Sequence, residues 1–201
     1  MYTKAIKPAL DFVISIIMLP VLGAIALVLG LAIYLDDKGP AFYVSDRIGR
    51  HGKVYRMYKF RRMMVNAPDI RLPDGSTYNG EDDPRLTRMG RWLRKTSLDE
   101  LPQLLNILKG DMSLIGPRPD PPDWMERYPV HILPFLNVKP GITGYSQAYF
   151  RNSIDSTEKM ENDLYYAEHI SFPLDVRIFF KTIATVVTGD NVYIKSGGTD
   201  A

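Results

Sequence analysis

Apolar and polar positions divide the chain into two different parts. Residues 12–35 carry no charge and are mostly apolar, whereas apolar and charged residues are interspersed beyond Asp36. As one helix, the apolar segment would be about 36 Å long, which exceeds a hydrocarbon core of about 30 Å. The pattern therefore predicts a membrane-associated segment followed by a folded domain.

Three placements of the apolar segment compete. A signal peptide would begin at Lys4 and Lys7, but the apolar run continues too far past any small-residue cleavage site. A single-pass helix has the right length. A re-entrant hairpin is the third placement, because Pro20 bends a helix and would divide the run into arms of about 12 and 22 Å. The residues alone leave the spanning and re-entrant placements open.

The periodicity after Gly39 predicts a small domain. Residues 41–49 predict a short strand, and residues 53–63 fit a strand or a helix equally well. Residues 72–84 contain Asp-Gly and Asn-Gly pairs, which are typical of an exposed loop. Helices are predicted over residues 84–95, 97–109, 155–169 and 173–188, an extended strap over 111–122, and a glycine-rich turn over 139–147.

The predicted helix 97–109 has two candidate N-caps, Ser97 and Asp99. Asp99 is favoured because Pro102 would then occupy the third helical position, where the N–H has no intrahelical partner. The unpaired N–H groups of such a helix end would offer a phosphate site. The buried stripe of this helix is predicted to consist of Leu98, Leu101, Leu105 and Leu108.

The predicted helix 84–95 carries a basic face formed by Arg85, Arg88, Arg91 and Lys95. This face fits a solvated surface, or a surface that rests on anionic lipid headgroups or phosphate. The net charge of +2 is small and no helix-turn-helix pattern is visible, so no nucleic-acid partner is predicted.

Composition narrows the chemistry. The absence of cysteine excludes thiol nucleophiles, disulfides, Cys-ligated zinc and iron–sulfur clusters, and the three histidines lack metal-ligand spacing. Asp99 and Glu100 are adjacent carboxylates close in sequence to several arginines, a combination that suits phosphoryl chemistry. Taken alone, however, two acids in the first turn of a helix are more typical of helix capping than of catalysis.

Four segments together resemble the bacterial sugar transferases, specifically the small monotopic phosphoglycosyl transferases. They are YKFRRM (residues 58–63), residues 85–119 with SLDELPQL and GDMSLIGPRP, KPGITGYSQ (139–147), and residues 163–183. The similarity covers nearly the whole chain. Tyr149 and Phe150 stand where the family frequently has Asn-Gly, so no sugar preference is carried over.

The resemblance implies an α-rich α+β fold with little sheet. Residues 1–38 would form a re-entrant membrane helix hairpin, and residues 39–201 a cytoplasmic catalytic domain with amphipathic interfacial helices. The protein would be monotopic, on the cytoplasmic face of the bacterial inner membrane. This expectation selects the re-entrant placement over the spanning one, and it leaves a monomer or a homodimer open.

The implied reaction moves a phosphosugar from a UDP-sugar to a polyprenol phosphate, expected to be undecaprenyl phosphate, and releases UMP. By position in the motif, Asp99 would be the nucleophile that forms a phosphosugar-aspartate intermediate and would bind Mg²⁺. Glu100 would be the base. The remaining expected site residues bind substrate phosphate (Lys59, Arg94 and Arg118) or line the substrate pocket (Gln147, Arg151 and Asp163).

A rival hypothesis from another class is a catalytically inactive, membrane-anchored basic scaffold. The intact Asp99–Glu100 pair and its arginines argue against the scaffold, which needs neither. A soluble aspartyl phosphatase is a more distant third, because the sequence has no strand-borne D-x-D motif. Release of UMP from UDP-sugars separates the enzyme from the scaffold.

Overall fold

The computed structural model describes residues 1–189, so the last residues of the predicted catalytic domain, 190–201, lie outside the described residues. The helices are α1 (Lys7–Asp37), α2 (Arg88–Thr96), α3 (Leu104–Lys109), α4 (Tyr145–Tyr149), α5 (Ser156–Glu168) and α6 (Phe172–Thr188). The strands are β1 (Phe42–Ile48), β2 (Val54–Phe60), β3 (Ser113–Ile115) and β4 (Gly141–Thr143). The prediction of a helix-rich fold with little sheet is confirmed.

The apolar segment forms one long helix, α1. Pro20 lies inside this helix rather than at one end, so the predicted hairpin does not appear as two separate helices. The helix Tyr2–Asp37 contains an 18-residue window with a mean hydropathy of 2.8 and is long and apolar enough to cross a membrane by length and composition. Only 17% of its apolar window is buried within the protein. Most of its apolar surface therefore has no protein partner within residues 1–189.

The N-terminal end of α1 is tied to the folded domain by buried polar contacts. Lys7 Nζ lies 2.8 Å from the carboxylate of Asp175 in α6. Asp11 accepts a hydrogen bond from the hydroxyl of Ser113 in β3 at 2.6 Å, and Asp11 itself is 7% exposed. Because buried charges are costly unless paired, these contacts fix this end of the helix against the domain.

The C-terminal end of α1 is tied to the same domain. The guanidinium of Arg61, which follows β2, donates to both carboxylate oxygens of Asp37 at 2.5 Å. The carboxylate of Asp36 accepts a hydrogen bond from the backbone N–H of Met89 in α2 at 2.8 Å. Both ends of the apolar helix are therefore held by one folded unit.

Strands β1 and β2 form an antiparallel hairpin, with pairs from Phe42↔Phe60 to Ile48↔Val54. Within the ambiguous segment 53–63, Val54–Phe60 is thus a strand, and its two basic residues lie on opposite faces: Arg56 on the face of Phe60, and Lys59 on the face of Met57. The short strands β3 and β4 pair in parallel, which places the predicted strap beside the predicted glycine-rich turn. A Cβ on Gly141 would lie 2.1 Å from the backbone N of Gly116, so only glycine fits this approach.

The prediction of one helix over residues 97–109 is wrong in its first half. Leu98–Gln103 is a 3-10 helix, and α3 begins only at Leu104. The favoured cap, Asp99, is wrong, because it lies inside the 3-10 helix. Ser97 occupies the N-cap position with a left-handed backbone at φ 58°, but its side chain makes no capping bond. Because a 3-10 helix has about three residues per turn, the spacing of Leu98, Leu101, Leu105 and Leu108 no longer places all four on one face. Leu105 is 39% exposed, whereas Leu104 and Ile107 are buried.

The predicted helix 84–95 starts later than expected. Thr87 is the N-cap of α2, and its hydroxyl accepts from the N–H of Gly90 at 2.9 Å. Arg85 is therefore outside the helix, 2% exposed and paired with Asp83, and does not belong to the basic face. Three further predictions are confirmed: residues 72–84 are irregular, Asp155 caps α5, and α6 ends before Gly189. The turn predicted over residues 139–147 is wrong in part, because pairing with β3 makes Gly141–Thr143 a strand and α4 begins at Tyr145.

Candidate active site

A cleft of about 1210 Å³ opens between the β1–β2 hairpin, the loop that follows it and the 3-10 helix Leu98–Gln103. The carboxylates of Asp99 and Glu100 line it, together with basic side chains from several elements: Lys59, Arg62, Arg118 and Arg151. The cleft therefore combines two adjacent acids with several cations, which is the composition expected for a phosphate-handling site.

The 3-10 helix explains why both acids face the cleft. Its left-handed start at Ser97 turns the chain sharply after α2, and Pro102 fits within it. With about three residues per turn, Leu98 and Leu101 fall on one side, where they pack against the core around Phe60 and Leu93. The side chains of Asp99 and Glu100, which lie between these two leucines in sequence, therefore project away from that core. Asp99 is only 2% exposed.

Each carboxylate of the pair is held by separate cations. Glu100 Oε1 accepts from Lys59 Nζ at 2.8 Å and from Arg118 at 3.1 Å. Asp99 Oδ2 accepts from Arg62 at 3.3 Å, which is the longer and weaker contact. Asp99 is thus the more buried acid and the less firmly bound one.

These surroundings shift the two acids in opposite directions. Burial raises the pKa of Asp99, and the charges of Arg62 and Lys59 offset this only in part. Burial would also raise the pKa of Glu100, but Lys59 and Arg118 outweigh it and bring that pKa to about 2. Glu100 is therefore ionised throughout the physiological range, whereas the surroundings of Asp99 favour its protonated form more than those of Glu100 do.

The position of Arg62 depends on α2. A Cβ on Gly90 would lie 1.8 Å from the carbonyl oxygen of Arg62, so glycine is needed for the two segments to meet. The same carbonyl accepts from the N–H of Thr87 at 3.1 Å. These contacts fix the backbone from which the Arg62 side chain reaches Asp99.

Arg118 is positioned by the strap that follows β3. The strap is anchored by the N–H of Gly141, which donates to the carbonyl of Pro117 at 2.9 Å. Behind it, Lys159 of α5 lies 2.7 Å from Asp120 and 3.1 Å from Asp163, and it donates to the carbonyl of Arg118 at 3.4 Å. The predicted pocket residue Asp163 is 1% exposed, so it lies behind the strap rather than on the cleft surface.

The other predicted pocket residues differ in placement. Arg151 lines the cleft and donates to the hydroxyl of Ser97 at 3.0 Å, next to the start of the 3-10 helix. Gln147 lies in α4 and is not among the residues that line the cleft. Both polar atoms of its side-chain amide are buried without a hydrogen-bond partner within residues 1–189.

The structure does not bring Arg94 to the cleft. This side chain is buried and pairs with Asp83 at 3.0 Å, and it also donates to the side chain of Asn79 and the carbonyl of Gly80 at 3.3 Å each. Arg94 thus holds the loop before α2. Sequence reasoning missed Arg62, whose only signal is its position directly after the basic strand β2, and it missed Lys159, which carries no local signal.

One carboxylate in the cleft is readily available to bind a magnesium ion. Within residues 1–189 no group of three or more His, Asp or Glu side chains is arranged to hold a metal ion. Mg²⁺ is commonly bound by one or two carboxylates together with substrate phosphates. Asp99, with its single long contact to Arg62, fits this mode better than Glu100, which two cations hold closely.

Comparison with known proteins gives a consistent relationship. The sequence profile described as "Bacterial sugar transferase" matches residues 2–189. The undecaprenyl-phosphate galactose phosphotransferase of Salmonella typhimurium is 39% identical over 95% of this chain, but the match covers only 42% of that protein. The uncharacterized sugar transferase EpsL of Bacillus subtilis is 39% identical over 93% of this chain and 90% of its own length.

Several relatives are thus much longer than the region they share with this chain. For another of these, the N-acetylgalactosaminephosphotransferase of Aeromonas hydrophila, identity is 38% over 92% of this chain and 44% of the relative. The chain therefore spans about two fifths of the length of such relatives, while it matches EpsL almost end to end. Since the profile covers nearly all of the described residues, this chain belongs to the bacterial sugar transferase family.

Proposed function

We propose that this protein transfers a phosphosugar from a UDP-sugar to a polyprenol phosphate, with undecaprenyl phosphate as the expected acceptor. The observation that carries the proposal is the Asp99–Glu100 pair, with Asp99 buried, in a cation-lined cleft. The names of the relatives from Salmonella typhimurium and Aeromonas hydrophila, both undecaprenyl-phosphate sugar phosphotransferases, support the acceptor and the reaction class.

Asp99 is the proposed nucleophile. In the first step a carboxylate oxygen of Asp99 attacks the β-phosphorus, the bond from that phosphorus to the bridging oxygen breaks, and UMP leaves with the bonding electrons. In the second step an oxygen of the polyprenol phosphate attacks the same phosphorus and frees the carboxylate. Burial favours this role, because a desolvated carboxylate held by one long contact is more reactive than one held by two short ones.

Lys59 and Arg118 are the proposed phosphate ligands. A diphosphate in the cleft would compete with Glu100 for these two cations, since phosphate oxygens form charge-assisted bonds of the same kind. When they shift toward the substrate, the pKa of Glu100 rises from its low value. Glu100 then becomes a better proton acceptor as the substrate binds. Mg²⁺ held by Asp99 and the diphosphate would neutralise charge on the phosphates.

The protein is also proposed to be monotopic, on the cytoplasmic face of the inner membrane. A helix that crossed the bilayer would separate its ends by the membrane thickness, whereas both ends of α1 contact one folded unit. The exposed apolar residues of α1 and of α6, including Phe179, Phe180 and Ile183, supply a surface for lipid. This arrangement keeps the cleft on the side where UDP-sugars are found.

Labelling of single cysteines tests the topology, because the natural chain has none. Lys4→Cys and Lys38→Cys place an exposed thiol near each end of α1. An impermeant maleimide is expected to label both in inside-out vesicles and neither in intact spheroplasts. Labelling of Lys4→Cys from outside the spheroplasts would contradict the monotopic placement.

UMP release tests the reaction. Detergent-solubilised wild type and Asp99→Asn are incubated with undecaprenyl phosphate, Mg²⁺ and a panel of UDP-sugars. The wild type is expected to release UMP from at least one sugar, and the variant, which keeps the side-chain shape, is expected to fold but release none. A wild type that is folded and releases no UMP from any sugar, beside an active control enzyme, would favour the scaffold.

A further inference from the structure

The face of the β1–β2 hairpin that carries Lys59 contains a second group of polar side chains that the proposed chemistry does not use. In the register of the hairpin, Lys59 lies opposite Tyr43, and Arg47 lies opposite Tyr55. Since alternate strand residues share a face, Ser45 and Arg47 lie on the Lys59 face, and both line the cleft. Arg47 is four residues from the Lys59 pair, about 13 Å further along the strand.

Three polar atoms of this group are buried without a hydrogen-bond partner. They are the hydroxyl oxygens of Ser45 and Tyr55 and the Nε of Arg47, within residues 1–189. Buried polar atoms are normally satisfied, and a guanidinium stays charged at any physiological pH. Three unsatisfied atoms on one face, two of them from residues that line the cleft, indicate a missing ligand that accepts hydrogen bonds.

The charges around Arg47 point to an anion. Burial, and next the neighbouring charge of Arg118, lower the pKa of Arg47. Asp120 is the nearby acid, but its carboxylate already accepts from Lys159 at 2.7 Å and from Tyr128 at 2.9 Å. Two arginines that face one space, with the nearby acid already engaged, leave positive charge that a bound anion would offset.

The location favours the soluble substrate over the lipid. Tyr55, opposite Arg47, packs at the edge of a hydrophobic cluster that includes Leu22 of α1. Within residues 1–189, however, the cleft that Arg47 lines has no residue of α1 or α6 in its lining. A uridine nucleotide reaches this end of the cleft more readily than a phosphate carried on a membrane lipid.

We propose that Arg47, with the hydroxyls of Ser45 and Tyr55, forms a subsite for the phosphate of the uridine nucleotide that leaves in the first step. The subsite rests on the proposed function and adds to that function a distinction between two phosphate positions. The phosphate under attack lies by Asp99 and Arg62, and the leaving phosphate lies between Arg118 and Arg47. Arg47 is thus a substrate-binding residue whose interaction persists in the UMP product.

Nucleotide binding to the full chain tests the subsite. UMP and uridine are titrated by calorimetry against wild type, Arg47→Met and Arg56→Met. Arg56 is the matched control, because it is exposed on the opposite face of the same hairpin. Loss of charge-assisted hydrogen bonds to phosphate is expected to weaken UMP binding by Arg47→Met about 10- to 100-fold, and Arg56→Met is expected to bind like the wild type. Uridine, which has no phosphate, is expected to bind all three equally.

Thermal unfolding without ligand separates a binding role from a structural one. Arg47→Met removes an uncompensated charge, so its Tm is expected to equal or exceed that of the wild type. A lower Tm with unchanged UMP affinity would make Arg47 structural and overturn the subsite. Equal weakening of UMP and uridine would assign Arg47 to the nucleoside and also overturn it. If the wild type binds no UMP, the uridine nucleotide donor itself is wrong, together with the subsite.

Discussion

The buried ion cluster around Asp83 gives the sharpest stability prediction. Asp83 is fully buried and accepts from Arg85 at 2.9 and 3.0 Å and from Arg94 at 3.0 Å. Asp83→Ala would leave two buried guanidiniums without this carboxylate, which costs about 3–5 kcal/mol. For a protein of this size, about 2–4 °C of Tm are lost per kcal/mol, so the expected decrease is about 6–20 °C.

The same cluster separates the two roles considered for Arg94. Arg94→Met would leave Asp83 with Arg85 alone and is also expected to lower Tm, while Arg91→Met, on the exposed face of α2, is expected to have little effect. Because the partners touch, the double variant Asp83→Ala/Arg94→Met should lose less than the sum of the single losses. The assay is thermal unfolding in one detergent at one scan rate. A wild-type Tm for Arg94→Met, combined with a raised KM for the UDP-sugar, would refute the structural role and restore the phosphate role.

Three further predictions concern the cleft. The acidic limb of the pH profile of kcat/KM should follow Asp99, with activity lost as pH falls through the raised pKa of this carboxyl. Arg62→Gln should move this limb to higher pH, since Arg62 is the charge that lowers the pKa of Asp99 most. An unmoved limb would exclude Asp99 as the titrating group. Glu100→Gln should release Lys59 and Arg118 and lower kcat about 10²- to 10⁴-fold, the contribution of one general base, without loss of α-helical circular dichroism. A wild-type kcat would remove Glu100 from the mechanism. Lys159→Met would leave Asp120 and Asp163 without their cation and lower the free energy of unfolding by about 3–5 kcal/mol. It should also raise the KM of the donor more than it changes kcat. An unchanged Tm would show that this ion group is not coupled to the strap.

How much of the fold could be predicted depended on how local each signal was. Segments with a clear period or cap, such as α5 behind Asp155, were predicted correctly because neighbouring residues determine them. The parallel pair β3–β4 was not predicted, since its two strands are far apart in sequence. What indicates the pairing is the close approach of Gly116 and Gly141, which is visible only in three dimensions.

The candidate site shows the same limit. The adjacency of Asp99 and Glu100 is local, and both do line one cleft. Whether a basic residue reaches that cleft depends on tertiary packing: Arg94 turns to Asp83, and Arg62, which the sequence did not single out, reaches Asp99. Likewise, the 3-10 winding that aims the acids could not be read from the leucine spacing.

Intact-mass analysis of the protein after a brief incubation with a UDP-sugar and Mg²⁺, without polyprenol phosphate, shows whether Asp99 itself carries the phosphosugar. If it does, we expect a mass increase equal to one phosphosugar, located at Asp99 by peptide mapping, absent from Asp99→Asn and discharged when undecaprenyl phosphate is added. A wild type that forms the polyprenol-diphosphate product without ever carrying this adduct would contradict Asp99 as the nucleophile and favour direct transfer between the two substrates.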